Sequence, residues 1–372
     1  MDTCQGQDGP DELNAPPSAG RPVSLARRAL QMAPQLALVA GILGYLIHTG
    51  KLDLGALGGL RHRWIWIVYA ILCVLPQYFL CAFRYRLLLG ALQLPGTLGQ
   101  AFSWSMIGSF FDLAMPLSNG GDLVKAYYVA RHAGRGRRGL AVLSVVLDRV
   151  VGLLALFVFA WLVCLFAGRQ VDDNPQLLRL SRALLFVCAG SLVAFCVLVS
   201  PPLERSALRR RLLHWAPYHA KLEALYVAFA GLRRQWVLLL GMLGLSLIVQ
   251  ILGCAAILFL AKGLPFTNIH TGAPAELELV PTLVVLPLAV FLNTFGVAGG
   301  FGMGEAAFQV LFWQLLNVDG GANLALAFHC LFALLRLLGI PFVVFYRHKE
   351  HAPPGRIAAE VAETLAEEGS GG

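Results

Sequence analysis

Charged residues are scarce in this sequence. Lys, Arg, Asp and Glu make up 13% of its 372 residues, whereas a soluble domain carries about 25%. Hydrophobic residues make up 58%, and the mean hydropathy is +0.69. This composition excludes an ordinary soluble domain and predicts an integral membrane protein with several spans.

Several kinds of motif are also missing. The eight cysteines form no Cys-x-x-Cys pair, and seven of them lie in apolar runs, which is typical of small buried side chains. No Gly-x-Ser-x-Gly, His-Glu-x-x-His, P-loop or Rossmann fingerprint is present. We therefore expect no metal and no cofactor, and an enzyme is the less favoured interpretation. No small-residue cleavage site follows the first apolar run, so we expect no signal peptide.

Six apolar stretches each approach the roughly 20 residues that a helix needs to cross a bilayer. They are residues 30–48, 65–83, 140–167, 183–200, 236–261 and 322–346. The N-terminal residues 1–24, rich in Pro, Gly and acidic side chains, are predicted to be disordered. Residues 203–235 form a basic connector, and residues 347–372 form a tail. The predicted fold is all-α, a polytopic membrane helix bundle.

Two further apolar stretches, residues 102–131 and 281–316, are interrupted by glycines. The interruptions read PLSNGGD over residues 116–122 and GVAGGFGMGE over residues 296–305. Irregular backbone survives inside a bilayer only where it is buried in protein or lines a cavity. Paired broken segments in the two halves of a chain are typical of transporters. We predict two re-entrant hairpins; two full crossings each are the alternative.

Lys and Arg set the predicted orientation. They are concentrated in the segments assigned to the cytoplasm, including Arg84 and Arg86 after the second span, which places both termini inside. The hairpins then enter from opposite sides, as in an inverted repeat. The protein is predicted to lie in the cell inner membrane. This bias also explains the net charge of +8, so no nucleic-acid partner is expected.

The basic connector, residues 203–235, has two readings. It is either an interfacial helix on an anionic leaflet or a positively charged loop that sets topology. It is also where a lipid-synthesis enzyme, the candidate protein partner, would dock.

Charged residues inside the apolar segments are the candidate functional residues. They are Asp122, Lys125, Asp148, Arg149, Glu305 and Arg336. Charges at such depth are costly, so they form pairs or line a path. In one reading they are ion pairs that lock helices together. In the other, the two arginines hold an anionic head group, and the acids keep them poised or take a proton.

The two glycine breaks allow a further pair of readings. Asp122 and Glu305 open the returning arms, where an acid caps free N–H groups and favours the positive end of the helix dipole. Helix N-termini facing a cavity also bind anions, and Gly299 and Gly300 would let a ligand approach the backbone closely. Asp112 and Asn293 precede the breaks, and we expect them mainly to satisfy backbone groups. We expect His329 to be a core histidine with its hydrogen bonds satisfied.

These motifs, taken in order, resemble a known family. The run from Arg84 to Leu89, the Pro116…Gly121-Asp122…Lys125 break and the Asp148-Arg149 pair look like the transmembrane region of lysylphosphatidylglycerol synthases, which also occurs alone in flippase-like proteins. Gly299-Gly300-Phe301-Gly302-Met303-Gly304-Glu305 and Arg336 are similar to its second half. The resemblance covers about residues 25–346 and implies a flippase-like transmembrane domain.

The chain departs from the family pattern at several positions. Asp122 and Asp148 stand where glutamate is usual, and Lys125 stands where arginine is usual. Gly304 occupies a position that is often arginine, which implies either weaker anion binding there or a different substrate. The tail after the last span is too short for the aminoacyl-transfer domain of the two-domain synthases.

The leading functional hypothesis is translocation of a lipid with an anionic or phosphate-bearing head group, with the bilayer and a membrane lipid as partners. One alternative is a lipid-modifying glycosyl- or aminoacyltransferase component, with Asp112, Asp122 and Glu305 as its candidate acids. The other is a membrane scaffold for lipid-synthesis enzymes.

Overall fold

The computed structural model describes residues 61–114, 120–134, 137–168, 175–199, 236–295 and 301–350, with isolated positions between 44 and 59. This part of the chain is an all-α membrane helix bundle, which confirms the predicted fold class. The predicted disordered N-terminus, nearly all of the first span, the basic connector 203–235 and tail residues 351–372 lie outside the described residues. So do residues 115–119 and 296–300 of the two breaks.

Ten helices are named here within the described residues. They are α1 (Trp64–Ala91), α2 (Leu98–Ala114), α3 (Gly120–Ala133), α4 (Arg138–Ala167), α5 (Pro175–Val199), α6 (Trp236–Gly263), α7 (Leu279–Asn293), α8 (Met303–Leu311), α9 (Gly321–Arg336) and α10 (Ile340–Glu350). Four segments are long and apolar enough to cross a membrane: Arg61–Ala91, Arg138–Ala167, Trp236–Gly263 and Gly321–Phe345. Each corresponds to a predicted span, and α5 overlaps a fifth.

The exposed face of helix α1 is apolar. Leu72, Leu75, Phe79 and Phe83 lie at helical spacing and are all exposed, and Leu72 is 58% exposed. Ala70, on another face of the same helix, is fully buried. A monomeric soluble protein rarely exposes a large contiguous apolar patch, so this stripe is best explained by contact with acyl chains.

The buried apolar residues form two cores. The first core contains residues of α6, α7, α8 and α9, together with the first half of α1 and the second half of α4. The second core contains the second half of α1, the helices α2 and α3, the first half of α4 and the start of α6. Helices α1, α4 and α6 therefore run through both cores, while the two broken pairs, α2–α3 and α7–α8, belong to different ones.

The helices beside the glycine breaks are short. Helix α2 has 17 residues, α3 has 14, α7 has 15 and α8 has 9, all fewer than the roughly 20 needed for a full crossing. Re-entrant insertion and an inverted repeat stay predictions, because the helix lengths alone do not define their position in the bilayer.

A small structure at the end of α8 fixes this helix against α9. After α8 the chain continues as a π-helical turn, Phe312–Leu316, and then as strand β2 (Val318–Asp319), which pairs antiparallel with β1 (Thr267–Asn268). Gln309 Nε2 donates to Asp319 Oδ1 at 2.6 Å, and its Oε1 accepts from the Ala322 amide at 3.0 Å. These bonds hold the last turn of α8 against the first turn of α9.

Candidate functional site

Asp148 is the centre of a buried ion-pair cluster. Its Oδ1 accepts from Arg84 Nε at 2.9 Å, and its Oδ2 accepts from Lys125 Nζ at 3.2 Å. Arg84 also donates to Ser246 Oγ at 2.8 Å, and Lys125 lies 3.4 Å from the centre of the Tyr85 ring. The three charged side chains are about nine-tenths buried. The cluster joins α1, α3, α4 and α6.

Arg84 is the residue of this cluster that sequence reasoning missed. It was assigned to a cytoplasmic segment because it follows an apolar run that was predicted to end at residue 83. Helix α1 instead continues to Ala91, and Tyr85, Leu88 and Leu89 beyond that point are fully buried. The signal was the apolar run after Arg86, which continues the helical pattern.

Arg149 forms a separate ion pair, although it is next to Asp148 in the sequence. Its Nε donates to Asp122 Oδ2 at 2.5 Å and its terminal nitrogen to Oδ1 at 2.9 Å, a bidentate geometry. Asp112 Oδ2 lies 3.9 Å from the same guanidinium. Half of the Arg149 side chain is exposed. Neighbouring residues on a helix point about 100° apart, so each serves a different partner.

Helices α2 and α3 meet at two glycines. The Gly121 amide donates to Asp112 Oδ1 at 2.8 Å. A Cβ on Gly121 would fall on the Gly108 carbonyl oxygen, and one on Gly108 would lie 3.0 Å from the Gly121 carbonyl oxygen. Small residues at a helix interface allow such close backbone approach inside a membrane. This contact positions Asp122 and Lys125 in and just after the first turn of α3.

Gly121→Ala is therefore expected to destabilise the protein by about 1–3 kcal/mol, because the added methyl group forces α2 and α3 apart. Gly99→Ala, in the first turn of α2, is the matched control, since a Cβ there meets nothing within 4 Å. Thermal unfolding of the two purified variants in detergent measures the difference. Equal unfolding temperatures would contradict the close packing.

A cavity of about 470 Å³ lies beside these ion pairs, between the two cores. Its lining includes seven charged side chains: Arg84, Lys125, Arg149, Arg336, Asp112, Asp122 and Asp148. Arg336, at the end of α9, makes no ion pair with any carboxylate of the described residues. The Tyr78 hydroxyl lies beside its guanidinium. Arg336 is thus a partly buried cation without an ion-pair partner among the described residues.

A second polar cluster lies at the start of α8. Glu305 Oε2 accepts from the Gly302 amide at 2.6 Å, and its Oε1 lies 2.8 Å from His329 Nδ1. His329 Nε2 lies 2.8 Å from Asn293 Oδ1. Glu305 is fully buried, and the His329 side chain is 1% exposed. Glu305 thus caps its own helix and also pairs with α9, while Asn293 contacts His329.

Gly304 makes this second cluster sterically feasible. A Cβ at this position would collide with the His329 imidazole and lie 2.5 Å from Asn293 Oδ1. The imidazole and the amide therefore occupy the space where another residue would place its side chain. The family's usual arginine would not fit unless both groups moved.

The two polar clusters line adjoining cavities. A smaller cavity of about 210 Å³ is lined by His329 and Asn293, and it shares Gln77, Gln250 and Arg336 with the larger one. The structure thus brings Asp122, Lys125, Asp148, Arg149 and Arg336 to one cavity and places Glu305 behind His329 at the other. Gly299 and Gly300 lie outside the described residues.

The fold and these cavities define an all-α, multi-pass integral membrane protein with a charged cavity between its helices. Residues 32–343 match the family model described as the lysylphosphatidylglycerol synthase TM region. The chain belongs to this family, which confirms the resemblance found in its motifs. No curated protein and no solved structure matches it.

Proposed function

We propose that this protein translocates a lipid with an anionic, phosphate-bearing head group across the bilayer. The observation that carries the proposal is Arg336, a cation without an acidic partner among the described residues, which lines both cavities. A guanidinium binds phosphate oxygens in a bidentate geometry and keeps its charge inside a protein. The arginine supplies the positive charge that such a head group needs.

The charge balance of the larger cavity supports an anion. Four cations and three acids line it, so its formal charge is positive by one when all are ionised. A phosphodiester head group carries one negative charge and would make the chamber neutral. The volume of about 470 Å³ lies within the roughly 300–1,000 Å³ of typical ligand sites.

Neutral hydrogen-bonding groups support the same ligand. Ser105 and Tyr78 are among the residues that line the larger cavity, and their hydroxyl oxygens are buried without a well-formed hydrogen bond to another described group. A buried polar group without a partner is costly, and phosphate oxygens would accept from both hydroxyls. The exposed apolar stripe on α1 suits contact with acyl chains, so the acyl chains would stay in the bilayer while the head group occupies the cavity.

The candidate acids of the transferase alternative are already engaged. Both Asp122 oxygens accept from Arg149, Asp112 accepts from the Gly121 amide, and Glu305 accepts from the Gly302 amide and contacts His329. General acid–base chemistry needs a group within reach of the substrate proton. These contacts favour transport over group transfer.

Reconstituted vesicles test the proposal. Phosphatidylcholine vesicles that hold the protein carry a trace of fluorescent phosphatidylglycerol, fluorescent phosphatidylcholine or a fluorescent cationic lipid. A quencher confined to the outer leaflet then reports movement from the inner leaflet. We expect phosphatidylglycerol to move at least about tenfold faster than the cationic lipid, since one like charge in a chamber of low dielectric costs more than 1.4 kcal/mol.

Protein-free vesicles give the background rate. Equal rates for the three lipids would contradict selection of an anionic head group. No movement of any lipid by folded protein would contradict translocation itself.

A further inference from the structure

The buried carboxylate of Glu305 needs a nearby proton to neutralise its negative charge. It is fully buried, and no Lys or Arg of the described residues lies within ion-pair distance of it. An uncompensated buried charge is very costly. The cationic partner within reach is His329, and only when its imidazole is protonated. The pair is therefore neutral with one shared proton and carries one negative charge without it.

The surroundings of His329 suit both states. Its Nδ1 faces Glu305 and its Nε2 faces the side-chain amide of Asn293. An asparagine amide offers an acceptor oxygen to an imidazolium N–H, and after rotation it offers a donor N–H to a neutral imidazole nitrogen. Asn293 can thus partner Nε2 in either protonation state, so the proton can leave without stranding a buried polar atom.

We propose that the Glu305–His329 pair is a proton-binding site that is coupled to head-group binding at Arg336, so that protons and anionic lipids move across the bilayer in the same direction. This inference rests on the proposed function. His329 and Arg336 are two turns apart on α9, about 10 Å along the axis, and both line the smaller cavity. The two sites can interact electrostatically without movement of the residues that line the cavity.

The sign of the coupling follows from charge. An anionic head group at Arg336 disfavours the negatively charged, deprotonated pair, so lipid binding draws a proton onto it. At an effective dielectric constant of about 20, the interaction of two unit charges about 10 Å apart couples the two binding events by a factor of roughly ten. By linkage, the proton strengthens lipid binding by the same factor, roughly tenfold.

The other ionisable groups on the elements packed against this pair lie farther away. Helix α7 carries none. On α6, the Cys254 thiol lines the smaller cavity, and Lys262 lies in the last turn of that helix. Helix α9 also carries Cys330, α2 carries Asp112, and Asp319 of β2 bonds to Gln309. None of these lies within hydrogen-bonding distance of Glu305 or His329.

The coupled step balances in protons and charge. A proton from the aqueous phase on the loading side binds the pair as the head group reaches Arg336, and the loaded site gains no net charge. The proton leaves to water on the other side when the head group departs. A pH gradient would therefore drive the lipid in the direction in which the proton moves.

Binding to the detergent-solubilised full chain tests the coupling. Short-chain phosphatidylglycerol is titrated between pH 5 and pH 9, with a pH-indicator dye in weak buffer to report proton uptake. We expect the affinity to fall about tenfold from the acidic to the alkaline plateau, with about half a proton taken up per lipid bound near the midpoint, the maximum that a tenfold coupling allows. An affinity that is constant over this range would overturn the coupling.

Two variants test whether the Glu305–His329 pair causes the pH dependence of lipid binding. In Glu305→Gln/His329→Gln both titrating groups are gone, so the pH dependence and the proton uptake should disappear. Cys254→Ala removes another ionisable group from the same cavity and should keep the wild-type pH profile. A double variant that still shows the tenfold pH dependence would overturn the assignment. If the double variant does not fold, the wild-type profile alone decides.

Vesicles separate this inference from the proposed function. With the interior one pH unit more acidic than the exterior, fluorescent phosphatidylglycerol should redistribute toward the outer leaflet faster than with equal pH, and a trapped dye should report proton efflux. Lipid movement that ignores the gradient would overturn proton coupling and leave translocation standing. No lipid movement under any condition would overturn translocation instead.

Discussion

Asp148→Asn is expected to destabilise the protein by about 3–5 kcal/mol, the largest stability effect predicted for a single substitution here. The change removes the only carboxylate that contacts Arg84 and Lys125 within the described residues, and both cations are about nine-tenths buried. Breaking a buried pair is costly mainly because it leaves an uncompensated charge. Four helices meet at this cluster, so the loss affects the whole bundle.

Thermal unfolding of the purified protein in detergent measures the loss, which should lower the midpoint by roughly 10 °C. The control replaces all three charges: Arg84→Met, Lys125→Met and Asp148→Leu. Apolar substitutes for a buried ionic cluster are often neutral or stabilising, so the triple variant should be more stable than Asp148→Asn. The reverse order would show that the cost does not come from unpaired charge.

The sequence predicted the fold class because composition and span length depend on the bilayer, not on tertiary contacts. Four predicted spans correspond to helices that are long and apolar enough to cross. The same reasoning failed at Arg84. An arginine after an apolar run is usually a topology signal, and only the buried carboxylate of Asp148, 64 residues later, shows that this one belongs inside.

The sequence did not predict which charged residues of the site pair with each other. The sequence predicted that the buried charges form pairs or line a path, but not that Asp148 and Arg149 would have different partners. Those choices depend on how α1, α3 and α4 rotate about their axes. Both Asp122 and Glu305 lie in the first turn of a helix. Glu305 caps α8, which agrees with the capping role that was one of its two predicted roles.

Gly304 illustrates how a departure from a family pattern acquires a physical reason. In the sequence it was a missing arginine that weakened the case for an anion site. In the structure the space of its side chain is taken by His329 and Asn293, which come from two other helices. The anion-binding role that the local motif lacks is assigned by our proposal to Arg336, at the far end of α9.

Arg336→Gln is expected to slow translocation of fluorescent phosphatidylglycerol by about 100-fold while the protein stays folded. Hydrogen bonds to a charged group contribute about 1.5–3 kcal/mol, and glutamine keeps some polar reach but loses the charge and the bidentate geometry. Arg336 makes no ion pair with any described carboxylate, so its loss leaves no unpaired acid. The unfolding midpoint should therefore stay within about 2 °C of the wild type.

Two further variants make this experiment specific. Arg336→Lys keeps the charge without the planar fork and should retain intermediate activity, about tenfold below the wild type. Arg179→Gln removes an exposed cation from α5 and should change neither the rate nor the selectivity. Wild-type rates in Arg336→Gln would contradict the assignment of this arginine as the head-group ligand.

The comparison with Asp148→Asn then separates two roles that buried cations have in this bundle. Arg84 and Lys125 are matched by Asp148, so removing the acid should reduce transport mainly by destabilising the protein. Arg336 has no ion-pair partner among the described residues, so its removal should slow transport in a protein that stays as stable as the wild type. A partly buried cation without an acidic partner has a desolvation cost that pairing does not repay, and an anionic ligand in the adjoining cavity is what would offset it.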